Sequence, residues 1–180
     1  MLGIGEKLPD FTVTGVKPKF MQHEQNGESA FEPITQDSFE GKWKIIFFYP
    51  KDFTFVCPTE IAEFARLAGD FEDRDAVVLG GSTDNEFVKL AWRRDHADLA
   101  ELPIWQFADT RGELVDGLGV REPSEGVAYR ATFVVDQWFC SPTYANWTSS
   151  ISVLRRAKRP ISHRKGILLE CSSPAMKDKS

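Results

Sequence analysis

The feature that most constrains the fold is the segment 42–50, KWKIIFFYP, a nearly continuous apolar run that ends at a proline. Apolar residues at consecutive positions predict a strand buried on both faces, because side chains alternate between the two sides of a sheet. Such a sheet needs covering layers on each side. With 180 residues, the chain is long enough for one domain of this kind with a substantial core.

The downstream segments alternate between helical and extended patterns. An amphipathic stripe after Cys57 predicts a helix, with these residues at helical spacing: Ile61, Phe64, Ala65 and Ala68. AVVLGGS (76–82) predicts a second buried strand, and IWQFAD (104–109) and ATFVVD (131–136) predict two further strands. Residues 1–40 carry glycine, proline and polar punctuation, which predicts loops with short extended pieces.

The segment 84–100 predicts another helix, for which Asp84 is a plausible N-cap. Its predicted stripe consists of Phe87, Leu90, Ala91 and Arg94. Strand, helix, strand, helix and strand in succession predict right-handed βαβ crossovers. The fold class is therefore α/β, with a sheet covered on both faces.

Composition excludes several classes of protein. No window approaches the roughly 18 apolar residues of a membrane span. Glu6 and Lys7 stand where a signal peptide would have its apolar core. We therefore expect a cytoplasmic protein with no membrane partner.

The cysteines and histidines do not form a metal-binding pattern. The three cysteines are Cys57, Cys140 and Cys171, with no CxxC spacing, and the three histidines are scattered. No GxGxxG or P-loop motif is present. We expect no metal and no cofactor, and in a reducing compartment the cysteines are either inert or chemically employed.

The charge balance changes near residue 137. Residues 137–180 contain eight Lys/Arg and two Asp/Glu, whereas the whole chain has a net charge of −5. Prolines interrupt this segment, and it shows no clean period, so we predict a divergent, poorly ordered tail. Its basic string RRAKRPISHRK resembles a nucleic-acid patch, but the acidic remainder argues against a nucleic-acid partner.

Cys57 lies at a predicted strand-to-helix junction. Pro58 favours the first helical position, so Cys57 is placed at or beside the N-cap, facing unpaired amides and the positive end of the helix dipole. Those features favour an anionic sulfur. Thr54 can turn its hydroxyl towards the sulfur or towards an incoming oxygen, and Pro50 can shield the site from water. From these residues alone, a buried packing cysteine and a reactive thiol remain open alternatives.

The spacing Pro50-x-x-x-Thr54-x-x-Cys57 resembles the motif of the peroxiredoxins. The flanking sequence FFYPKDFTFVCPTEI and the segment GVAYRATFVVD resemble the alkyl hydroperoxide reductase C branch. The resemblance covers residues 1–136 and stops there. It implies a thioredoxin-like fold, a mixed sheet flanked by helices, in one core domain of residues 1–136.

The resemblance implies a thiol-dependent peroxidase, an oxidoreductase that reduces hydrogen peroxide and alkyl hydroperoxides. Cys57 matches the peroxidatic cysteine, which becomes a sulfenic acid. Thr54 matches the residue that hydrogen-bonds the thiolate and the peroxide, and Pro50 matches the proline that caps the pocket. Arg130 matches the arginine that stabilises the thiolate and the developing oxyanion. Glu60 matches a carboxylate that holds this arginine in position.

The segment 137–180 departs from the family pattern. Cys171 and Cys140 are the candidates for a resolving thiol, and an external thiol is the third option. The resemblance implies a thioredoxin-like, flavoprotein or adaptor reductant, and a homodimer or higher ring. A catalytically impaired protein that acts as a peroxide sensor or holdase is the alternative function.

Overall fold

The computed structural model describes residues 6–136 and the backbone of Ser152–Leu154. The strands are β1 (Thr12–Val16), β2 (Glu24–Gln25), β3 (Glu28–Ser29), β4 (Phe31–Thr35), β5 (Trp43–Phe48), β6 (Ala76–Ser82), β7 (Trp105–Ala108), β8 (Ala131–Val135) and β9 (Ser152–Leu154). The helices are α1 (Cys57–Arg66), α2 (Ala68–Glu72), α3 (Glu86–Asp95) and α4 (Glu113–Gly117), with a 3-10 turn at Ala97–Leu99. None of these helices combines the length and apolar character needed to cross a membrane.

In the described part of the chain, seven strands form one mixed sheet in the order β4-β1-β7-β6-β5-β8-β9. The central pairs β5–β6 and β6–β7 are parallel, while β1–β4, β1–β7 and β5–β8 are antiparallel. The parallel pairs require the helical crossovers that separate them in sequence. The predicted fold class, α/β with a mixed sheet flanked by helices, is confirmed.

One strand of the sheet was not expected from the sequence. Ser152–Leu154 pairs antiparallel with β8 and lies in the segment 137–180, where no periodic pattern was found. The remainder of that segment, and its predicted disorder, lies outside the described residues.

The core lies on both faces of the sheet because β5 alternates its side chains between them. Ile46 and Phe48 belong to a cluster that includes residues of α4. Ile45 and Phe47 belong to a second cluster that includes Ile61 of α1 and Trp92 of α3. Each fully buried large apolar side chain contributes about 1.5–3 kcal/mol, so this strand is a principal source of stability. The predicted strand buried on both faces is confirmed.

Two glycines let aromatic rings approach β6. A Cβ atom at Gly80 would overlap the ring of Phe47, and one at Gly81 would overlap the ring of Phe107. The glycines in the predicted strand 76–82 therefore have a packing role: they admit rings from the neighbouring strands.

The predicted N-cap of α3 is wrong by one residue. Asn85 is the N-cap, and its side chain accepts the backbone N–H of Val88 at 2.9 Å. Asp84 instead accepts the backbone N–H of Asp52 at 2.8 Å, in the loop before α1. A long-range contact has taken the carboxylate that the local pattern assigned to the helix end.

The predicted apolar stripe of α3 is wrong at two positions. Phe87 and Arg94 are exposed, whereas Lys89, Trp92 and Arg93 are buried. Burying cations is possible here because each has internal partners: Lys89 meets a carboxylate, and Arg93 donates to a buried amide and to backbone carbonyls. Burial lowers the pKa of Arg93 to about 10, which still leaves it charged at neutral pH.

Candidate active site

Cys57 is the first residue of α1 and follows the loop 49–56 that leaves β5. Its side chain is only 1% exposed. The N-cap is Val56, and no side chain caps the first turn, so the orphan amides of α1 have no side-chain acceptor at this end. The predicted position at or beside the N-cap is confirmed, although the helix begins one residue earlier than Pro58.

Arg130 joins the cysteine to a carboxylate. One nitrogen of its guanidinium, Nη2, lies 3.1 Å from the Sγ atom of Cys57, and Nη1 donates to Oε2 of Glu60. The Arg130 side chain is 31% exposed, and that of Glu60 is 19% exposed. A planar guanidinium has enough donors to engage sulfur and carboxylate together. The sulfur therefore faces a fixed positive charge and the positive end of a helix dipole.

Thr54 and Pro50 lie in the same loop, both half-buried. The hydroxyl of Thr54 donates to the backbone carbonyl of Lys51 at 3.3 Å. This length exceeds the usual 2.5–3.0 Å of an O–H···O bond, so the bond is weak and easily exchanged. Pro50 follows directly after Tyr49, whose backbone N–H donates to the carbonyl of Gly81 at 3.0 Å. In this structure the Thr54 hydroxyl therefore contacts the loop backbone, and of the two predicted partners the incoming oxygen stays a prediction.

A buried polar network that the sequence did not indicate lies behind this loop. Lys89 forms an ion pair with Asp52 and donates to Ser82. Tyr49 is buried next to it, and burial, followed by the negative charge of Asp52, raises the pKa of its hydroxyl well above the usual value. The only sequence signal was a lysine near the predicted apolar stripe of α3. Asp52 alone looked like an ordinary loop residue.

Trp92 also contacts the loop. Its ring stacks on that of Phe53, with the centroids 5.8 Å apart, and lies 6.0 Å from the ring of Tyr49. Trp92, a buried residue of α3, therefore lies next to the cysteine-bearing loop.

The candidate resolving residues Cys140 and Cys171 lie outside the described residues. Cys57, which the structure does describe, is a free thiol. No group of three or more His, Cys, Asp or Glu side chains suited to a metal ion occurs within residues 6–136.

A mixed sheet flanked by helices, with a buried cysteine at a helix N-terminus after a central strand, defines a thiol protein of the thioredoxin-like class. A model of the AhpC/TSA family matches residues 4–138. The chain therefore belongs to the AhpC/TSA family, as the sequence resemblance predicted. The match ends close to residue 136, where the sequence departs from the family pattern.

The relatives carry the names of peroxidase enzymes. The chain is 49% identical over 138 residues to alkyl hydroperoxide reductase C of Mycolicibacterium smegmatis, which spans 76% of this chain and 70% of the relative. It is 41% identical over 136 residues to peroxiredoxin-2 of Mus musculus, across 74% of this chain and 64% of the relative. The predicted assignment to peroxidase oxidoreductases is confirmed at the level of the family.

Solved structures show the same fold. Mycobacterium tuberculosis AhpC superposes with a TM-score of 0.73 at 41% identity, covering 87% of this chain and 84% of that one. Enterococcus faecalis AhpC gives a TM-score of 0.70 at 29% identity, covering 88% and 83%.

Proposed function

We propose that the chain is a thiol peroxidase that reduces hydrogen peroxide and alkyl hydroperoxides at Cys57. The observation that carries this proposal is the 3.1 Å contact between the Arg130 guanidinium and the buried Sγ of Cys57. A cation and a helix N-terminus on one sulfur favour the thiolate, which is the nucleophilic form. An inert packing cysteine has no need of either.

The reaction is a displacement at oxygen. The thiolate of Cys57 donates an electron pair to the terminal oxygen of ROOH, an S–O bond forms, and the O–O bond breaks. The leaving RO⁻ takes a proton and departs as an alcohol, or as water when the substrate is hydrogen peroxide. Cys57 is oxidised to the sulfenic acid and the peroxide is reduced.

The surrounding residues act on charge and orientation. Arg130 faces both the thiolate and the oxygen that becomes negative, and Glu60 holds the guanidinium in place. Thr54 exchanges its weak bond to Lys51 for one to the peroxide, which orients the oxygen in line with the sulfur. Pro50 shields the pocket from water and offers no N–H to compete for the substrate.

Recycling needs a second thiol. That thiol attacks the sulfenic sulfur, a disulfide forms and water leaves. A dithiol reductant then exchanges with this disulfide and is oxidised to its own disulfide, which releases Cys57 and the resolving thiol in their reduced forms. Cys171 is the first candidate for the resolving thiol, Cys140 the second, and an external thiol the third. The reductant is a thioredoxin-like protein, a flavoprotein partner or an adaptor protein. We propose that residues 1–136 form the catalytic core and 137–180 a separate basic segment.

Homo-oligomerisation is part of the proposal. Large apolar side chains stand exposed around the cysteine, namely Phe53, Phe55, Val56 and Tyr129. Apolar groups clustered on a surface mark contact sites for other proteins, and a second copy of this chain is the proposed partner. The cytoplasm is the proposed location, because Cys57 must return to the free thiol after each turnover.

A second function is favoured by one observation. The family match ends at residue 138, before either candidate resolving cysteine. A chain with an intact Cys57 pocket and neither an internal nor an external resolving thiol would react once with peroxide and act as a sensor or a holdase.

Intact mass spectrometry after one equivalent of peroxide, followed by steady-state assays with a dithiol reductant, tests both functions. The thiol peroxidase is expected to gain one oxygen atom or form a disulfide, and to turn over many times. Cys57→Ser should abolish both, while Cys171→Ser and Cys140→Ser identify the resolving thiol. One turnover per Cys57 would favour the sensor. A Cys57→Ser variant that still consumes peroxide would refute the proposed site.

A further inference from the structure

We propose that the buried ion pair between Asp52 and Lys89 is a positioning element of the peroxidase reaction. It anchors the loop 49–56 so that the Thr54 hydroxyl is positioned to bind the peroxide beside Cys57. This inference rests on the proposed function and adds two positioning residues to it.

The pair is fully enclosed, and its ammonium has a second acceptor. Nζ of Lys89 lies 3.0 Å from Oδ2 of Asp52, and the two side chains are 0% and 1% exposed. The same Nζ donates to Oγ of Ser82 at 2.8 Å, and it lies 5.3 Å from the centre of the Tyr49 ring. Lys89 comes from α3, Ser82 from the end of β6 and Asp52 from the loop. The ammonium therefore ties the loop to two rigid elements.

The backbone of Asp52 is held as well as its side chain. Its N–H donates to Oδ2 of Asp84 at 2.8 Å, and the N–H of Asp84 donates to Oγ of Ser82 at 3.2 Å. Two independent bonds thus fix one loop residue. A residue held at both its backbone and its side chain has little freedom to change its dihedral angles.

The next residue shows why such an anchor is needed. Phe53 has a φ of 55°, in the left-handed region that side chains other than glycine seldom adopt. Its ring stacks on Trp92. A conformation of this kind persists only where the surroundings impose it, and such conformations cluster at functional sites. Asp52 on one side and Trp92 on the other impose it here.

Thr54 follows directly, and its hydroxyl closes the turn on the carbonyl of Lys51. The position of this hydroxyl is set by the dihedral angles of the two preceding residues, which the anchor controls. A buried ion pair is a poor device for stability, because apolar residues of similar volume often replace one without loss. The carboxylate of this pair lies in the loop, five residues before Cys57 at the start of α1, where it can control the loop geometry.

The test uses the neutral pair Asp52→Asn with Lys89→Met in the full chain, which leaves no unpaired buried charge. Two rates are measured at one pH: the second-order rate with hydrogen peroxide and the rate of Cys57 alkylation by iodoacetamide. We expect the peroxide rate to fall at least tenfold while alkylation stays within about threefold, since alkylation needs the thiolate but no oriented peroxide oxygen. The matched control is Glu125→Gln, which breaks the exposed ion pair with Lys51 in the same loop and should change neither rate more than twofold.

The same double substitution in a Thr54→Val variant tests whether the ion pair acts through Thr54. In Thr54→Val, adding the neutral pair should cost less than a further threefold in peroxide rate, because groups that act through one another are not additive. Amide hydrogen exchange at residues 52 and 53 should accelerate at least tenfold in the neutral pair. If the variant with Asp52→Asn and Lys89→Met fails to fold, Asp84→Ala is used instead, because it removes the acceptor for the Asp52 amide. It should also lower the peroxide rate and accelerate amide exchange at residues 52 and 53.

Three results would each overturn the positioning role. The peroxide and alkylation rates could fall equally, or the peroxide rate could stay unchanged. In the Thr54→Val variant, the double substitution could still lower the peroxide rate by its full factor. If the wild-type chain does not react with peroxide at Cys57, the proposed function falls, and this inference falls with it. If the wild-type chain reacts at Cys57 but the double substitution leaves the ratio of the peroxide rate to the alkylation rate unchanged, only the positioning role is refuted.

Discussion

Replacing Arg130 with methionine removes the positive charge next to Cys57 while keeping a long side chain. Two unit charges at about 3.1 Å interact with about 5 kcal/mol at an effective dielectric constant of 20. Because the arginine is 31% exposed, water screens part of this, and about 2–3 kcal/mol is the expected loss, within the range of charge-assisted hydrogen bonds. At about 1.4 kcal/mol per factor of ten, Arg130→Met should slow the reaction with peroxide by about 30- to 150-fold.

Stopped-flow fluorescence with hydrogen peroxide measures this second-order rate. Arg121→Met is the matched control: its side chain is 32% exposed and pairs with Asp116, so its removal should change the rate less than twofold. Arg130→Lys should recover only part of the loss, because a lysine cannot hold sulfur and carboxylate with one planar group. An Arg130→Met rate within threefold of wild type would refute the electrostatic role.

Two further predictions concern stability. Gly80→Ala places a Cβ atom against the buried ring of Phe47 and should lower the free energy of unfolding in urea by about 1–3 kcal/mol. The control is Gly69→Ala in α2, which has open space around it and should be neutral or stabilising. Similar changes in the free energy of unfolding for both variants would contradict the packing argument. Burial raises the pKa of the Asp109 carboxyl, even though a backbone N–H of α4 donates to it. The native state therefore binds the carboxyl proton more tightly than the unfolded chain does. The stabilisation that results is lost as the pH rises through the raised pKa of the native state. The Tm of Asp109→Asn relative to wild type should therefore increase from about pH 4 towards neutrality, and a difference that stays constant with pH would count against this account.

Local sequence patterns predicted the elements that depend on local burial. The strands at 42–50, 76–82, 104–109 and 131–136 all occur, because a run of apolar side chains is buried wherever a sheet lies between two layers. The predicted stripe after Cys57 is confirmed for α1, where Ile61 is buried and Phe64 and Ala65 pack against the same cluster. Ala68 packs there as well, but it belongs to α2, because α1 ends at Arg66. The predicted stripe of α3 is wrong at Phe87 and Arg94. Lys89 and Arg93 are buried instead, because each has a partner that is distant in sequence.

The candidate site was predicted unevenly. The position of Cys57 at a helix start follows from proline chemistry and the adjacent strand. Its pairing with Arg130 was reached only through resemblance to a family, since 73 residues separate them and no periodicity connects them. The ion pair of Asp52 with Lys89 could not be predicted, because the two residues lie 37 positions apart and Lys89 is not part of the predicted apolar stripe of its helix.

The sequence by itself determined the central strands of the sheet, the helices that follow β5 and β6, and the place where a cysteine would meet unpaired amides, because these follow from side-chain alternation and backbone geometry within a few residues. Only the tertiary structure decided which charges are buried and which group faces the sulfur. Burying a charge is unfavourable unless a partner is in contact, and such a partner comes from a distant segment that the folded sheet and its helices bring into place.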